Sequence, residues 1–200
     1  MGAVPSDAES ITRSLTQSAV FDVVFDRHYD AVCAFAVRRL GASDGEEVAA
    51  ETFARAFAGR ASFVGADSAL PWLFGICANL IRMSRRSEGR RLRAYARNPR
   101  DPSAVDESEQ ADRVMDAVPL ARCVARALAS ARPVEREVLL LHAWADLSYE
   151  EISIALGLPI GTVRSHLSRA RARLRRALIT ETGRDVSPGS VCTTEGGSDG

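Results

Sequence analysis

Hydrophobic residues recur every three or four positions along most of the chain, which is the period of an α-helix with one buried face. This pattern predicts helices over 21–41, 43–59 and 68–80, and helical pattern resumes at 120–128 and 134–144. No stretch alternates hydrophobic and polar residues in the way that a half-buried strand does. The sequence therefore predicts an all-α fold.

Short polar side chains and glycines mark the ends of these helices. Ser43 and Asp44 are candidate caps of the second helix and Ser68 of the third, because their side-chain oxygens can accept hydrogen bonds from the first-turn N–H groups. Pro71 suits the first turn of the third helix, where a missing N–H costs nothing. Gly59 is a typical residue to end the second helix.

A helix-turn-helix unit is predicted near the C-terminus. Ser148 and Glu151 form a capping box at the start of a short helix, which ends at the Gly-Leu-Pro sequence of 157–159. A longer helix starts around 160–162. Its hydrophobic stripe repeats at spacings of four, three, four and four: Val163, Leu167, Ala170, Leu174 and Leu178.

The other residues of this longer helix are predicted to face outward and to carry positive charge. They are Arg164, Ser165, His166, Ser168, Arg169, Arg171, Arg173, Arg175 and Arg176. An ordinary amphipathic helix usually mixes both signs on its solvated face, but 161–180 contains six arginines and no acidic residue. This favours a recognition helix in the major groove of DNA, with its first side chains at base edges and later arginines on phosphates.

Charge is concentrated in blocks, although 26 basic and 26 acidic residues give a formal net charge of zero. All of the basic residues are arginines, whose planar guanidinium group suits phosphates and base edges. Eight arginines and one acid lie in 80–100, whereas six acids and one arginine lie in 101–120. Two basic blocks on either side of an acidic one predict two anion-binding modules with an acidic linker.

Composition divides the chain into segments, because periodicity is lost where Pro, Ser, Asp and Glu accumulate. The predicted segments are a flexible N-terminus (1–17), a three-to-four-helix bundle (18–96), a flexible acidic linker (97–117), a helix-turn-helix domain (118–180) and a disordered tail (181–200). The sequence thus predicts two small helical domains on a flexible connection.

The helix predicted over 68–80 combines Trp72, Phe74 and Asn79 with the arginines that begin at Arg82. Aromatic faces beside phosphate-binding cations suit single-stranded or melting DNA, where unstacked bases need partners. Trp72 and Phe74 also fit a plain hydrophobic core, so both interpretations stay open. Asn79 lies in an apolar run, where a buried amide would need hydrogen-bond partners.

Four segments together resemble the sigma-70 family of RNA polymerase sigma factors. Residues 46–53 (EEVAAETF) look like the region 2.2 helix, and residues 71–79 (PWLFGICAN) look like the promoter-melting helix. Residues 147–152 (LSYEEI) and 157–165 (GLPIGTVRS) are similar to region 4.2. The resemblance covers 21–178, and two domains with no region 3 domain between them match the extracytoplasmic function (ECF) group.

The resemblance implies a sigma subunit that directs promoter-specific initiation through bipartite recognition and promoter melting. The residues implied at the −35 element are Arg164, Ser165, His166, Ser168, Arg169, Arg171 and Arg173. Those implied at the −10 element, in or after the 60–67 loop, are Phe63, Trp72, Asn79, Arg82, Arg85 and Arg86. Glu46, Glu47 and Glu51 are implied to dock on the polymerase.

The implied partners are the RNA polymerase core, through its β′ clamp helices and β flap, promoter DNA and an anti-sigma factor. Three residues depart from the family pattern. Ala50 replaces a common glutamine of region 2.2, and His166 replaces a common arginine of the recognition helix. Gly75 stands where the melting helix usually has a larger residue, and glycine there costs about 1 kcal/mol of helix propensity.

Other function classes are less compatible with the sequence. A free-standing helix-turn-helix regulator is the alternative, but its N-terminal domain would not need a second basic block after Asn79. An enzyme is not expected, because the chain has no glycine-rich phosphate loop, no paired histidine and nucleophile, and no cysteine or histidine spacing typical of a metal site. No cofactor or membrane insertion is expected, and the absence of a signal-like N-terminus favours the cytoplasm.

Overall fold

The computed structural model describes residues 5–65, 67–97, 124, 127, 128 and 130–182, with side chains except for 85–97, 181 and 182. Within this part of the chain the α-helices are α1 (Asp7–Ser14), α2 (Asp22–Leu40), α3 (Ala42–Gly59), α4 (Leu70–Arg97), α5 (Pro133–Trp144), α6 (Tyr149–Leu156) and α7 (Ile160–Thr182). Short 3-10 turns at Ser18–Phe21 and Arg60–Ser62 precede α2 and follow α3. No strand occurs among the described residues, and the all-α prediction is confirmed. The predicted linker and tail lie outside these residues, apart from the ends of α4 and α7.

The N-terminus contains a folded helix, so the prediction of a flexible 1–17 segment is wrong for α1. Ser6 and Glu9 form a capping box in which the Glu9 N–H donates to the Ser6 hydroxyl at 3.2 Å and the Ser6 N–H donates to the Glu9 carboxylate at 2.9 Å. Ile11 joins the hydrophobic core, and Asp7 and Ser14 are buried with it. Small and polar side chains complete the buried face of α1, which is why its periodicity is weak in the sequence.

The core of the N-terminal bundle lies between α2, α3 and α4. Phe35 of α2 and Phe74 of α4 make an edge-to-face contact with ring centroids 5.2 Å apart, an arrangement that aromatic quadrupoles favour. Val32 of α2 and Phe53 of α3 are buried in the same cluster. Phe74 is therefore a core residue, and of its two interpretations the structure supports packing.

The turn between α2 and α3 is shorter than the sequence suggests. Gly41 has a φ of 88°, which glycine adopts at no steric cost, and α3 begins at the next residue. Ser43 and Asp44 therefore lie inside α3, and the prediction that they cap it is wrong. The hydrogen bond expected of Ser68 at the start of α4 is present, because the Leu70 N–H donates to the Ser68 hydroxyl at 3.2 Å.

The C-terminal bundle contains the predicted helix-turn-helix. The capping box of α6 is confirmed, since the Glu151 N–H donates to the Ser148 hydroxyl at 3.2 Å and the Ser148 N–H donates to the Glu151 carboxylate at 2.8 Å. Gly157 ends α6 in the left-handed conformation with a φ of 63°. Ile152 of α6 and Val163 of α7 are both fully buried.

The two bundles pack directly against each other through α4 and α6. Gly75 of α4 lies so close to the backbone of Ala155 in α6 that a Cβ at Gly75 would collide with the Ala155 carbonyl. Arg39 of α2 and Glu137 of α5 form an ion pair of 2.8 Å between the same two bundles. The glycine of α4 is therefore a contact position, and this explains why a larger residue is absent there.

Candidate nucleic-acid interface

The first turns of α7 present a polar, positively charged surface. Arg164, Ser165, Ser168 and Arg169 are exposed, whereas Leu167 on the opposite side of the same turns is 1% exposed. Their predicted exposure is confirmed, and their contact with a −35 element stays a prediction.

Two residues of α7 do not face outward as the helical period predicts. His166 is half-buried, and its Nδ1 atom has no hydrogen-bond partner within the described part of the chain. Arg173 is half-buried and forms an ion pair with Glu135 of α5 at 3.6 Å, and Glu135 is only 2% exposed. The prediction that these two side chains face solvent is corrected, and for Arg173 the reason is a carboxylate on α5, which the period of α7 alone cannot reveal.

A basic groove of about 290 Å³ runs between the start of α6 and the exposed side of α7. Its lining is Tyr149, Arg164, Leu167, Ser168, Arg171, Ala172 and Arg175. The Arg171 guanidinium donates to the Tyr149 hydroxyl at 3.4 Å, which orients this arginine towards α6. Tyr149 was not a predicted site residue, although its place directly after the Ser148 cap is a usable signal. Guanidinium groups and hydroxyls in one groove suit a phosphate oxygen.

A second basic cavity, of about 490 Å³, lies between α5 and α7. Its lining is Arg132, Glu135, Arg169, Ala172, Arg173 and Arg176. The buried carboxylate of Glu135 offsets part of this positive charge. Arg132 lies outside the predicted site, since it precedes α5 in sequence and reaches the cavity only through the fold. Positive charge thus extends from α7 onto the start of α5.

The segment between α3 and α4 carries the predicted aromatic residues. The rings of Phe63 and Trp72 pack together with centroids 5.1 Å apart, and both side chains are half-buried against the core. Each of the two rings is therefore partly covered by the protein and partly open to solvent. Val64 is 92% exposed beside Phe63, and sequence reasoning missed it because an isolated valine next to a glycine gives no periodic signal.

Asn79 is exposed on α4, so its amide is open to solvent although it lies in an apolar run of the sequence. Its Oδ1 accepts a hydrogen bond from the guanidinium of Arg82, one turn further along the helix, and Arg82 is also exposed. The side chains of Arg85 and Arg86 lie outside the described residues, although α4 continues through both positions. Asn79 and Arg82 thus form one exposed polar unit on α4, about two helical turns after Trp72.

The acidic residues predicted to dock on the polymerase lie on α3. Glu46 and Glu47 are exposed, and so is Glu51, which forms an ion pair of 2.6 Å with Arg55 one turn later. An exposed pair of this spacing contributes only about 0.3–0.5 kcal/mol to stability. The carboxylates are therefore free to take part in contacts with a partner at little cost to the fold.

Among the described residues, no three His, Cys, Asp or Glu side chains come together in a way that could hold a metal ion. Burial raises the pKa of the Cys77 thiol to about 12, so this thiol stays protonated at neutral pH. None of the described helices combines the length and the hydrophobicity needed to cross a bilayer.

Two sequence models of one family match the chain, one in each bundle. The model of Sigma-70 region 2 matches residues 24–91, which contain most of α2 to α4. The model of Sigma-70 region 4 matches residues 121–174, which contain α5, α6 and the first part of α7. The basic surface of α7 and the aromatic surface of α4 therefore lie in regions 4 and 2 of this family.

Solved structures support the same fold. The sigma factor RpoE from Bartonella quintana, in a co-crystal with the anti-sigma factor NepR, gives a TM-score of 0.57 at 26% identity and covers 79% of this chain and 96% of that chain. CnrH, in complex with the cytosolic domain of CnrY, gives a TM-score of 0.61 over 89% of this chain and 100% of that chain. Its 24% identity limits that likeness to the fold.

Curated relatives extend over both bundles. The ECF RNA polymerase sigma-E factor of Escherichia coli (strain K12) is 29% identical over 157 residues, which are 76% of this chain and 82% of the relative. The ECF RNA polymerase sigma factor EcfG of Rhodopseudomonas palustris (strain TIE-1) is 28% identical over 163 residues, 78% of this chain and 83% of the relative. With regions 2 and 4 both matched in order, the chain belongs to the sigma-70 family as an extracytoplasmic function RNA polymerase sigma factor.

Proposed function

We propose that this sigma factor reads two promoter elements with two separate surfaces, duplex DNA with α7 and melted DNA with α4 and the segment before it. The observation that carries the proposal is the exposed, acid-free start of α7 on a helix-turn-helix. Base edges in the major groove discriminate all four base pairs, so a helix placed there can recognise sequence. Two linked surfaces also gain affinity, because binding of one raises the effective concentration of the other.

At the −35 element, Arg164, Ser165, Ser168 and Arg169 reach base edges and nearby phosphates. Arg171 and Tyr149 hold the DNA backbone along the groove between α6 and α7, where the Arg171–Tyr149 hydrogen bond orients the guanidinium. His166 and Arg173 contribute less to DNA contact than their neighbours, because both are half-buried in the protein.

At the −10 element, Asn79 and the loop that carries Phe63 read an unstacked base. The solvent-facing sides of Phe63 and Trp72 offer a platform for stacking, and such contacts are worth about 1–3 kcal/mol per base. Arg82, followed on the same helix by Arg85 and Arg86, holds the backbone beside the melted base. The Arg82–Asn79 hydrogen bond links backbone contact to base contact.

The partners follow from the surfaces left exposed. Glu46, Glu47 and Glu51 of α3 dock on the β′ clamp helices of the polymerase core, and region 4 contacts the β flap. An anti-sigma factor holds the chain when it is not in use, as NepR and CnrY accompany the two similar structures. The protein has no catalytic activity of its own and acts in the cytoplasm with the polymerase.

Run-off transcription with core RNA polymerase tests this proposal. Genomic fragments are transcribed with and without the chain, and the start sites give the −35 and −10 elements. Arg164→Ala should lower transcription at least tenfold, whereas Arg38→Ala, which removes an exposed arginine of α2, should change it less than twofold. Failure to bind the core, together with dimeric binding to a palindrome, would overturn the proposal in favour of a free-standing regulator.

A further inference from the structure

The buried carboxylate of Asp7 connects α1 to the segment that separates α3 from α4. Asp7 is the first residue of α1, lies outside the stretch that matches the region 2 model, and is 1% exposed. Burying a charge is costly unless the charge is paired and hydrogen-bonded. Such a residue at this place therefore indicates a specific set of partners.

Those partners belong to the loop and to α2. One carboxylate oxygen of Asp7 accepts a hydrogen bond from the Ala69 N–H at 2.7 Å and lies 2.6 Å from Nε2 of His28. The other oxygen accepts from the guanidinium of Arg27. The backbone N–H of Asp7 donates to the Asp67 carbonyl at 3.4 Å. Asp7 thus holds the loop at two points while two side chains of α2 fix its carboxylate.

The loop has few other connections. The Ser62 hydroxyl bonds back to Gly59 and the Phe63 N–H bonds back to Arg60, so the hydrogen bonds of its first part reach only the end of α3. Within the described residues, the hydrogen bonds that join 63–69 to a helix other than α3 or α4 both come from Asp7. The second part of the loop is therefore held by this one acid, while the first part is held by the packing of Phe63 on Trp72.

We propose that Asp7 is a positioning residue that sets the base preference of the −10 loop and the rate of promoter opening. The proposal rests on the proposed function of that loop. Two contacts of Asp7 reach the loop and two reach α2, so its place in the fold points to control of loop geometry from a fixed point on α2. A base-reading site that is displaced by about 1 Å loses both discrimination and rate.

The test uses holoenzyme reconstituted with core polymerase and the full chain. Asp7→Ala removes all carboxylate contacts, Asp7→Asn keeps an oxygen for the Ala69 N–H, and Glu9→Gln is the matched control on the exposed side of α1. Each variant is measured for opening of a duplex promoter, for binding to a promoter already open at −10, for binding to a −35 duplex, and for preference in a library randomised at −10.

We expect Asp7→Ala to slow duplex opening at least tenfold and to flatten the base preference at one −10 position. Asp7→Asn should lose about threefold in opening, because it keeps the Ala69 contact but not the charge, and Glu9→Gln should stay within twofold of the parent chain in each assay. Binding to the −35 duplex should stay within twofold for all three. If Asp7→Ala does not fold, the base preference of Asp7→Asn decides the question.

An unchanged −10 preference in the folded Asp7 variants, or an equal loss in −35 binding, would overturn the proposal, since Asp7 would then serve general stability. Failure of the proposed function itself gives a different result. In that case Val64→Ala and Phe63→Ala would also leave the −10 preference of the otherwise intact holoenzyme unchanged.

Discussion

Arg39 of α2 and Glu137 of α5 form a two-armed ion pair that joins the N-terminal and C-terminal bundles. One guanidinium nitrogen donates to Oε1 at 2.8 Å and the other to Oε2 at 3.2 Å. The Arg39 side chain is 4% exposed and the Glu137 side chain 14% exposed. Because both charges are almost removed from water, each contributes to the electrostatic compensation of the other.

Removal of one partner of this pair should destabilise the protein strongly. Glu137→Leu leaves the Arg39 charge in the contact between bundles and should lower the free energy of unfolding by about 3 kcal/mol or more. The double variant Arg39→Met/Glu137→Leu should recover much of this loss, because neither of its two side chains brings a charge into the contact between the bundles. Urea unfolding of the single and double variants measures the interaction free energy between Arg39 and Glu137. Arg55→Ala, which breaks an exposed pair, should cost under about 1 kcal/mol, and an equal cost at both pairs would contradict the prediction.

Substitution of Gly75 should separate α4 from α6. Gly75→Ala adds a methyl group that collides with the Ala155 carbonyl, so the two helices must move apart even though alanine favours helix by about 1 kcal/mol. The distance between fluorophores on the two bundles should increase. Gly161→Ala is the matched control, because a Cβ there meets nothing within 4 Å. Identical distances between the fluorophores in the two variants would show that the close approach of Gly75 to Ala155 does not determine how the bundles pack.

The arginines of α7 should differ in how they affect DNA binding. Arg169→Ala removes an exposed cation and should reduce the slope of log affinity against log salt by about 0.9, the value for one phosphate contact. Arg173→Ala instead leaves Glu135 buried without its ion pair and should reduce stability more than it reduces the salt slope. Fluorescence anisotropy over a salt series, with thermal melting alongside, separates the two effects. A larger slope change for Arg173→Ala would refute the assignment.

The Asp7 carboxylate should make stability depend on pH in the acid range. Burial alone would raise the pKa of Asp7, but the Ala69 N–H, His28 and Arg27 outweigh it and hold the pKa below its ordinary value. A lowered folded-state pKa means that the contribution is complete above the unfolded pKa of about 3.9 and is lost as pH falls through the folded value. Urea unfolding between pH 6 and the lowest pH at which the chain stays folded should show this decline, and Asp7→Asn should flatten it. A decline of equal steepness in Asp7→Asn would assign it to other carboxylates.

The sequence predicts those parts of the fold that are determined by interactions between residues close together in the chain. The Ser148–Glu151 capping box and the buried side of α7 follow from spacing alone, because one helix contains every group involved. The family resemblance located regions 2 and 4 because each of its motifs is a short, continuous stretch of sequence. Predicted exposure in the first turns of α7 was correct for Arg164, Ser165, Ser168 and Arg169.

Residues whose environment comes from distant parts of the chain could not be predicted in this way. Arg173 has the period of an outward residue, yet it meets a carboxylate on α5. From the sequence, Gly75 is a residue of low helix propensity. In the structure it allows the close approach of the Ala155 backbone, eighty positions further along the chain. Asp7 lies in a segment with little hydrophobic pattern, and its partners at 27, 28 and 69 become visible only in the folded chain.

The exposed cations of α7 have a consequence for control of the protein. Every one of them is a guanidinium, and the whole chain has no lysine. An arginine side chain keeps its proton throughout the physiological pH range, and acetyl transfer to lysine has no acceptor here. The positive charge of α7 is therefore permanent, and neither a change of pH in this range nor lysine acetylation can weaken its attraction for phosphates.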